Sequence, residues 1–416
     1  MKKWICIVVG VVLMSLSGLA YAATTQVDAL IEKLIEKNIL TKQEARDIKQ
    51  EIVADQKVIH EEAMKSSLPE WIQKTKLKGD ARVRYQYERK KDDTEARSRG
   101  RVRFRLGLEN QVNDQWKMGA GLATSETGST ADDARSTNMT FTDGFRRGDI
   151  RLDYAFAEYQ PAPWGKVIAG KFVRTDYLWT PTDLLWDSDI NPAGGSLHVE
   201  HKFSENINAY LNNGVWVIDE NGKTDRVDPF LVYSQAGIKS QMGPVDLHAA
   251  GTYYGFNGVK GTTVDGTSST NTLTGGVLRY DYDSLGASAE IGLKKPMGLK
   301  CIERLAFFGD YIQNLDPDDN ETGWAAGLKF GDSKVVGRNQ WQVKYQYSSL
   351  GKDAFLDAFP DSDRLGGVTD TKGHEWTLEY GLAKNVVVGL DYYLDDRILG
   401  THNRQTLIQA DLNLKF

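Results

Sequence analysis

The sequence predicts an all-β transmembrane protein, an antiparallel β-barrel of about 16 strands preceded by a short helical, coiled-coil-like segment. Three observations lead to this fold class. The hydrophobic period is two from Lys76 to the end of the chain, and the connections between predicted strands alternate between short and long. The period before Pro69 is instead near 3.6. We therefore divide the 416 residues into segments 1–22, 24–68 and 76–416.

Residues 1–22 are typical of a secretory signal peptide. Two lysines precede an apolar stretch, and Ala20 and Ala22 supply the small residues of a cleavage site. Cleavage changes the formal net charge from −6 to −8 and removes Cys6, so Cys301 has no intrachain disulfide partner. No later apolar run reaches the roughly 18 residues of a membrane helix. Export and net acidity argue against nucleic acid as a partner.

Residues 24–68 have the pattern of two amphipathic helices. The first carries an apolar stripe of Val27, Leu30, Ile31, Leu34 and Ile35. Thr41 and Glu44 form a capping box that opens the second helix. Two short helices bury little surface alone, so we expect them to pair with each other or with copies from neighbouring subunits, in the periplasm. The alternative is a helical leader that lies loosely against the rest of the chain.

Residues 76–416 alternate between apolar and polar side chains on nearly every predicted strand. The last strand is typical, with Ala410, Leu412, Leu414 and Phe416 opposite Gln409, Asp411, Asn413 and Lys415. A soluble β-sandwich needs two apolar faces that meet in one core, and no second apolar layer is available here. Closing the sheet with its apolar face toward lipid resolves this and leaves no unpaired edge.

The predicted connections fall into a short set and a long set, as in outer-membrane barrels. The short turns lie near residues 110–115, 161–165, 204–206, 241–244 and 383–385. The long connections cover residues 125–148, 174–194, 258–269 and 349–373. We place the short set in the periplasm and the long set outside.

The number of strands depends on one patch. We count 17 alternating patches, and a barrel whose ends lie on the same side needs an even number. The apolar phase of Leu273–Tyr282 differs from that of the following patch, so we interpret it as an extension of the next strand, broken near Ser284. This leaves 16 strands, with 18 as the alternative.

The predicted inward face carries a basic stripe, formed by Arg99, Arg101, Arg103 and Arg105 on one strand and Arg82 and Arg84 on its neighbour. Alternate residues lie roughly 6.6 Å apart, so the stripe runs about 20 Å, most of the height of the apolar band. Neighbouring charges at this spacing repel by about 0.6 kcal/mol in water and by more in a narrow lumen. We therefore expect counter-charges or bound anions, with a slight preference for anions in the pore.

The connection 174–194 has the composition of a constriction loop, with Asp176, Trp179, Asp183, Trp186, Asp187 and Asp189. Folded inward, it would narrow the lumen and set carboxylates against the arginines, creating a transverse field that orients polar solutes. The alternative is a solvated outer loop, with the arginines paired across strands.

Several features together resemble the bacterial putative porin family. They are the signal peptide, the two-helix leader with Ile39-Leu40-Thr41, the segment 186–194 and the later Asp361-Ser362-Asp363 and Lys372-Gly373-His374. The chain more loosely resembles the trimeric general porins, which share a 16-strand barrel and an inward third loop but lack the leader. The resemblance implies an outer-membrane homotrimer, and Phe416 matches the insertion signal of such barrels.

The sequence lacks motifs for catalysis or metal binding. No H-E-x-x-H, G-x-S-x-G or phosphate-binding glycine loop is present. His198 and His201 are three positions apart, so on a strand they face opposite sides and do not share a metal. We expect no enzyme activity, no metal and no cofactor.

These observations favour an outer-membrane porin, surrounded by lipid, that allows passive diffusion of small hydrophilic solutes and ions. The first alternative is a substrate-specific uptake channel in which Trp179, Trp186 and nearby tyrosines bind a sugar or an anion. The second is a structural barrel whose leader tethers the outer membrane to the cell wall.

Overall fold

The computed structural model describes residues 31, 33–37, 40–41, 43–46, 48, 68–93, 95–126, 133–145, 147–222, 228–267, 270–299 and 301–416. The described residues up to Lys74 and those from Thr75 to Phe416 form two compact units. The predicted signal peptide lies outside the described residues, as does most of the predicted leader. No helix in the described part of the chain is long and apolar enough to cross a membrane.

The first unit is helical at residues 33–36 and 43–46 and in the short helix Glu70–Gln73. The predicted capping box is confirmed. Thr41 Oγ1 accepts a hydrogen bond from the Glu44 backbone N–H at 3.2 Å, and Glu44 Oε2 accepts one from the Thr41 N–H at 2.8 Å. Both bonds satisfy donors that a helix N-terminus otherwise leaves without partners.

The second unit is a closed antiparallel barrel, which confirms the predicted fold class and the count of 16 strands. The barrel strands are β1 (Thr75–Lys90), β2 (Arg97–Gln111), β3 (Trp116–Ser125), β4 (Asp149–Ala162), β5 (Gly165–Lys171), β6 (Ala193–Ser204), β7 (Ile207–Val217), β8 (Phe230–Met242), β9 (Val245–Asn257), β10 (Ser284–Lys294), β11 (Arg304–Asn314), β12 (Thr322–Gly331), β13 (Trp341–Leu350), β14 (Thr371–Ala383), β15 (Val386–Arg397) and β16 (Gln405–Lys415). Each strand pairs with the next in sequence, and β1 pairs with β16.

The alternation seen in the sequence corresponds to the two faces of the barrel wall. On β1, Val83 and Tyr85 are 51% and 53% exposed, whereas the alternate residues Arg84 and Gln86 are 5% and 2% exposed. Successive side chains of a strand point to opposite faces, so the apolar residues face outward and the polar ones face the interior.

The seam between the first and last strands pairs Asp80–Lys90 with Gln405–Lys415, and backbone hydrogen bonds between Gly79 and Phe416 extend it by one position. The Phe416 N–H donates to the Gly79 carbonyl at 3.0 Å, and the Gly79 N–H donates back at 3.1 Å. The Phe416 ring lies over Gly79 and stacks on Phe104 with ring centroids 6.5 Å apart. A Cβ atom at Gly79 would overlap this ring, which explains the glycine at this position.

The connections divide as predicted between the two ends of the barrel. The predicted short turns at 110–115, 161–165, 204–206, 241–244 and 383–385 all join an even-numbered strand to the next odd-numbered one. We call this the turn end. The long connections lie at the opposite end, which we call the loop end. They include the two-residue strand Met139–Thr140, which pairs with β2, and the 3₁₀ turns Asp143–Phe145 and Arg174–Asp176.

The prediction for Leu273–Tyr282 is wrong in one respect. Leu273–Thr274 and Val277–Leu278 form a separate hairpin within the connection before β10, and they do not extend β10. The two turn residues, Gly275 and Gly276, have φ values of 64° and 86°. Positive φ at both central positions suits a tight hairpin turn, and glycine adopts it without a steric cost.

Candidate pore and its lining

The predicted basic stripe lies on the inward face of β1 and β2. We call it the arginine wall: Arg82, Arg84, Arg99, Arg101, Arg103 and Arg105. The strand register sets Arg82 opposite Arg103 and Arg84 opposite Arg101. Like charges placed directly opposite each other destabilise a sheet, so the wall requires carboxylates close to it.

Six carboxylates form ion pairs with the arginine wall. Asp411 binds Arg84 through both oxygens at 2.7 Å, and Asp80 contacts Arg103 and Arg105 at 3.0 and 2.8 Å. The remaining four are Glu88, Glu126, Asp189 and Asp363. The chain itself therefore supplies the counter-charge that the sequence required, and it does so from strands and from distant connections.

Residues 172–192, which join β5 to β6, form the first inward connection. Its polar contacts reach three separated strands, with Thr182 bonded to Asp310 of β11, Trp179 to Gln235 of β8 and Asp189 to Arg105 of β2. Since these strands lie on different sides of the barrel, the connection crosses the barrel interior.

Asp189 joins the first inward connection to the arginine wall. Its carboxylate lies 3.3 Å from Arg105 and 3.7 Å from Arg103, and it accepts hydrogen bonds from the backbone and hydroxyl of Thr137 at 3.1 and 2.9 Å. Burial opposes ionisation of this carboxyl, but the positive charges of Arg103 and Arg105 outweigh burial and hold its pKa below the usual range.

The other five predicted residues of this connection have different surroundings. Asp183 and Asp187 line the central cavity described below. Trp179 stacks on His248, with ring centroids 3.4 Å apart. Trp186 is 2% exposed and packs against aromatic rings, so its side chain is closed to solutes. Asp176 is exposed in the 3₁₀ turn and does not line the central cavity.

Residues 351–370, which join β13 to β14, form a second inward connection that the sequence analysis did not identify. Phe355 and Leu356 are fully buried, and the Phe355 ring packs 5.4 Å from the Trp186 ring of the first inward connection. Arg364 donates to Asp395 of β15 and Glu375 of β14, both at 2.7 Å. The apolar residues within 354–359 were the available signal, since a solvated loop seldom carries such a run.

A third segment, from the connection between β3 and β4, ties the two inward connections together. The Arg135 guanidinium donates to the carbonyl of Asp357 at 3.3 Å, and the Ser362 hydroxyl donates to the Arg135 carbonyl at 3.2 Å. Thr137, two residues later, binds Asp189 as described above. Arg135 is 7% exposed, and sequence reasoning missed it because nothing local marks its distant partners.

A central cavity of about 210 Å³ lies between the inward connections and the arginine wall. Five basic side chains line it: Arg82, Arg84, Arg103, Arg135 and Lys344. Seven carboxylates line it as well: Asp183, Asp187, Asp189, Asp361, Asp363, Glu375 and Asp391. The cavity thus has more acidic than basic groups, which the arginine stripe in the sequence did not suggest.

Two carboxyls of the inward connections resist ionisation. Burial, followed by the charge of Asp189, raises the pKa of Asp187, although the backbone N–H groups of Asp189 and Ser362 oppose the shift. Burial and then the charges of Asp183, Asp363 and Asp187 raise the pKa of Asp361 well above its usual range. Since the pKa of Asp187 is raised to about 7, the charge on this side of the cavity depends on pH near neutrality.

Among the described residues, no three His, Cys, Asp or Glu side chains are arranged so that they could hold a metal ion.

A closed barrel with an apolar outer face and a charged, hydrogen-bonded interior defines a transmembrane channel of the porin class.

The comparison with protein families agrees with this class. Residues 37–97, 89–285 and 278–416 match the family described as putative porin, and the chain belongs to that family. The comparison with curated protein sequences gave no match. The chain is accordingly an outer-membrane channel for passive diffusion, and channels of this family are not enzymes.

Solved structures with similar folds are outer-membrane proteins. Pseudomonas putida OprB at high pH is 10% identical, with a TM-score of 0.55 over 82% of this chain and 94% of that chain. Salmonella typhi OmpF in complex with daunomycin is 11% identical, with a TM-score of 0.49 over 82% and 97%. The outer membrane channel DcaP of Acinetobacter baumannii is 12% identical, with a TM-score of 0.46 over 82% and 97%. The likeness to OprB supports the barrel fold.

Proposed function

We propose that this porin passes small hydrophilic solutes through a lumen that the two inward connections narrow, and that it prefers cations. The central cavity carries the proposal: seven carboxyl groups face five basic groups, and the excess of negative charge is complete once Asp187 and Asp361, whose pKa values are raised, have lost their protons. The arginine wall adds little free positive charge, because each of its members pairs with a carboxylate. This preference is opposite to the slight anion preference expected from the sequence, which showed the arginines but not their partners.

Single-channel recording of the purified protein in a planar bilayer, with a salt gradient, tests this proposal. We expect stepwise openings and a reversal potential of the cation-selective sign. Asp183→Asn should reduce the cation preference. Asp318→Asn removes the same charge from an exposed position outside the cavity and should leave the preference unchanged. An anion-selective native channel would contradict the proposal.

The arginine wall can be tested in the same recordings. Arg101→Ala with Arg103→Ala removes two positive charges from the inward face of β2 and should shift the reversal potential further toward cations. An unchanged reversal potential would mean that these residues do not line the conducting path.

A substrate-specific uptake channel is a second candidate, and the surroundings of Trp179 favour it. The Trp179 ring stacks on His248, and the Tyr210 hydroxyl lies 2.8 Å from His248 Nε2. Aromatic faces beside polar groups are what a sugar ring requires. This candidate predicts that a sugar such as glucose blocks the current saturably and that Trp179→Ala abolishes the block. A linear dependence on glucose concentration would exclude it for that sugar.

We also propose that residues 1–22 are cleaved, that residues 24–68 associate as a coiled coil in the periplasm, and that the channel is a homotrimer. The amphipathic pattern of the leader and the capping box at Thr41 support the helical part of this proposal. Openings in groups of three would support a trimer. Deletion of residues 24–68 should then reduce the trimer fraction on unboiled gels and keep the conductance of each opening.

A further inference from the structure

We propose that the central cavity is a binding site for small zwitterions, solutes that carry one ammonium and one carboxylate group. The inference rests on the proposed function, since it assigns a solute class to the same lumen. It is based on the distribution of paired and unpaired groups around the cavity of about 210 Å³.

Two carboxylates on the acidic side of the cavity form no direct ion pair with a described basic residue, although the charge of Asp183 acts on Lys344 and Arg364 from farther away and that of Asp187 acts on Arg174. Among the described side chains, Asp183 accepts a hydrogen bond from Gln346 at 3.4 Å and forms no ion pair. Asp187 accepts backbone N–H bonds from Asp189 and Ser362, both at 2.9 Å, and likewise forms no ion pair with a described basic residue. The buried Asp187 and the half-buried Asp183 can therefore each accept a cation supplied by a solute.

Asp361 adds a second observation on this side. The residue is 6% exposed, and its Oδ2 atom accepts no hydrogen bond within the described chain. Its nearest cation is the Nε atom of Arg364 at 3.7 Å, which is too long for a hydrogen bond. A buried acceptor that lines a cavity and lacks a donor indicates that a donor from a solute can bind there.

The arginine wall presents donors to the cavity, whereas Arg135 already donates to the second inward connection. The Nε–H of Arg82 is buried and has no acceptor within the described residues. Its Nη1 atom is 3.7 Å from Asp411, whereas Arg84 binds the same carboxylate at 2.7 Å. Arg82 is therefore the wall residue of this cavity whose charge is least satisfied, and an additional carboxylate is its complement.

A small solute that carries both groups matches the whole cavity, because its ammonium can bind the unpaired carboxylates and its carboxylate can bind Arg82. A simple anion would meet the unpaired carboxylates, and a simple cation would meet Arg82, so either would place one like charge next to another. A zwitterion avoids both conflicts and is electrically neutral overall, so its binding leaves the net charge of the lumen unchanged.

The test measures single-channel current with glycine and with 4-aminobutyrate, which differ in the separation of their charges. At least one should reduce the current saturably at millimolar concentration, while ethanolammonium, glycolate and glycerol act at least about tenfold more weakly. Equal effects of ethanolammonium or glycolate, or a linear dependence on the zwitterion concentration, would overturn the inference. Stepwise conductance without any zwitterion effect would overturn this inference and leave the proposed function intact.

Variants locate the site. Asp183→Asn and Arg82→Gln should each weaken the zwitterion effect at least about tenfold. Asp318→Asn and Arg338→Gln, matched changes at exposed positions, should not change it. Calorimetric titration of the folded protein with 4-aminobutyrate gives an independent measurement. A protein that conducts no current would contradict the proposed function. In that case, heat of binding that Asp183→Asn abolishes would still support the binding site. Absence of this heat would refute the site.

Discussion

Both inward connections fold into the interior of the barrel, but different contacts hold them there. The first, residues 172–192, also buries apolar side chains completely, such as Phe172 and Leu178, and it reaches the arginine wall through the carboxylate of Asp189. The second, residues 351–370, is anchored by the buried cation Arg364 and by fully buried apolar residues such as Phe355. The tryptophans and aspartates of the first connection indicate in the sequence that it folds inward. The second shows that the partners available on distant strands decide whether a loop folds inward.

The largest effect should come from the anchor of the second connection. Arg364→Met removes the cation between Glu375 and Asp395, which leaves the buried Asp395 without an ion pair among the described residues and Glu375 with Lys344 alone. We expect the free energy of unfolding to fall by about 3–5 kcal/mol. Urea unfolding of the refolded protein in detergent micelles measures this. Arg404→Met, at a largely exposed arginine, is the control, and similar losses for the two variants would contradict the buried anchor.

The apolar part of the second connection should have a slightly smaller effect. Phe355→Ala opens a cavity among the rings of Trp186, Tyr254 and Phe256 and should cost about 3 kcal/mol of unfolding free energy. Phe145→Ala truncates the same side chain at a fully exposed position and should cost less than about 0.5 kcal/mol. A loss below about 1 kcal/mol for Phe355→Ala would mean that this connection is not packed as described.

Asp189, the charged residue by which the first connection contacts the arginine wall, should contribute less to stability than Arg364 and more to ion selectivity. Asp189→Asn keeps the shape of the side chain but removes its charge from Arg103 and Arg105, which still pair with Asp80. We expect a loss of about 1–2 kcal/mol and a reversal potential shifted toward anions. Asp176→Asn, an exposed change in the same connection, is the control. A larger loss than for Arg364→Met would reverse the comparison of the two connections.

The smallest effect should be a dependence of selectivity on pH. The pKa values of Asp187 and Asp361, one from each connection, are raised. These carboxyls gain protons at a higher pH than ordinary aspartates. The pKa of Asp187 is raised to about 7, so cation preference should decline between about pH 8 and pH 6, before ordinary carboxylates protonate. Reversal potentials across this range measure the decline, which Asp187→Asn combined with Asp361→Asn should flatten. A decline of the cation preference only at the lower pH where ordinary carboxylates protonate would argue against the raised pKa values of Asp187 and Asp361.

Sequence reasoning was effective where the physical rule is local. A period of two, short turns and the Thr41–Glu44 spacing each depend on neighbouring residues, and the strands, turns and capping box follow from them. It failed where the decisive partner is remote in sequence. Nothing near Arg135 indicates the Asp357 carbonyl, and nothing near Arg84 indicates Asp411. The hairpin at Leu273–Leu278 differs for another reason: its apolar phase favours a strand extension, whereas the two adjacent glycines, Gly275 and Gly276, favour the tight turn that the structure has.

The Gly79–Phe416 seam has a kinetic consequence. The Arg84–Asp411 pair beside it joins residues 327 positions apart, so the ladder that completes the barrel forms between segments at opposite ends of the barrel sequence. Contacts of such long range fold slowly, because much of the chain must be ordered before they form. Until then β1 and β16 are open edges prone to aggregation. The time between export and closure is therefore when this chain most needs protection by a chaperone.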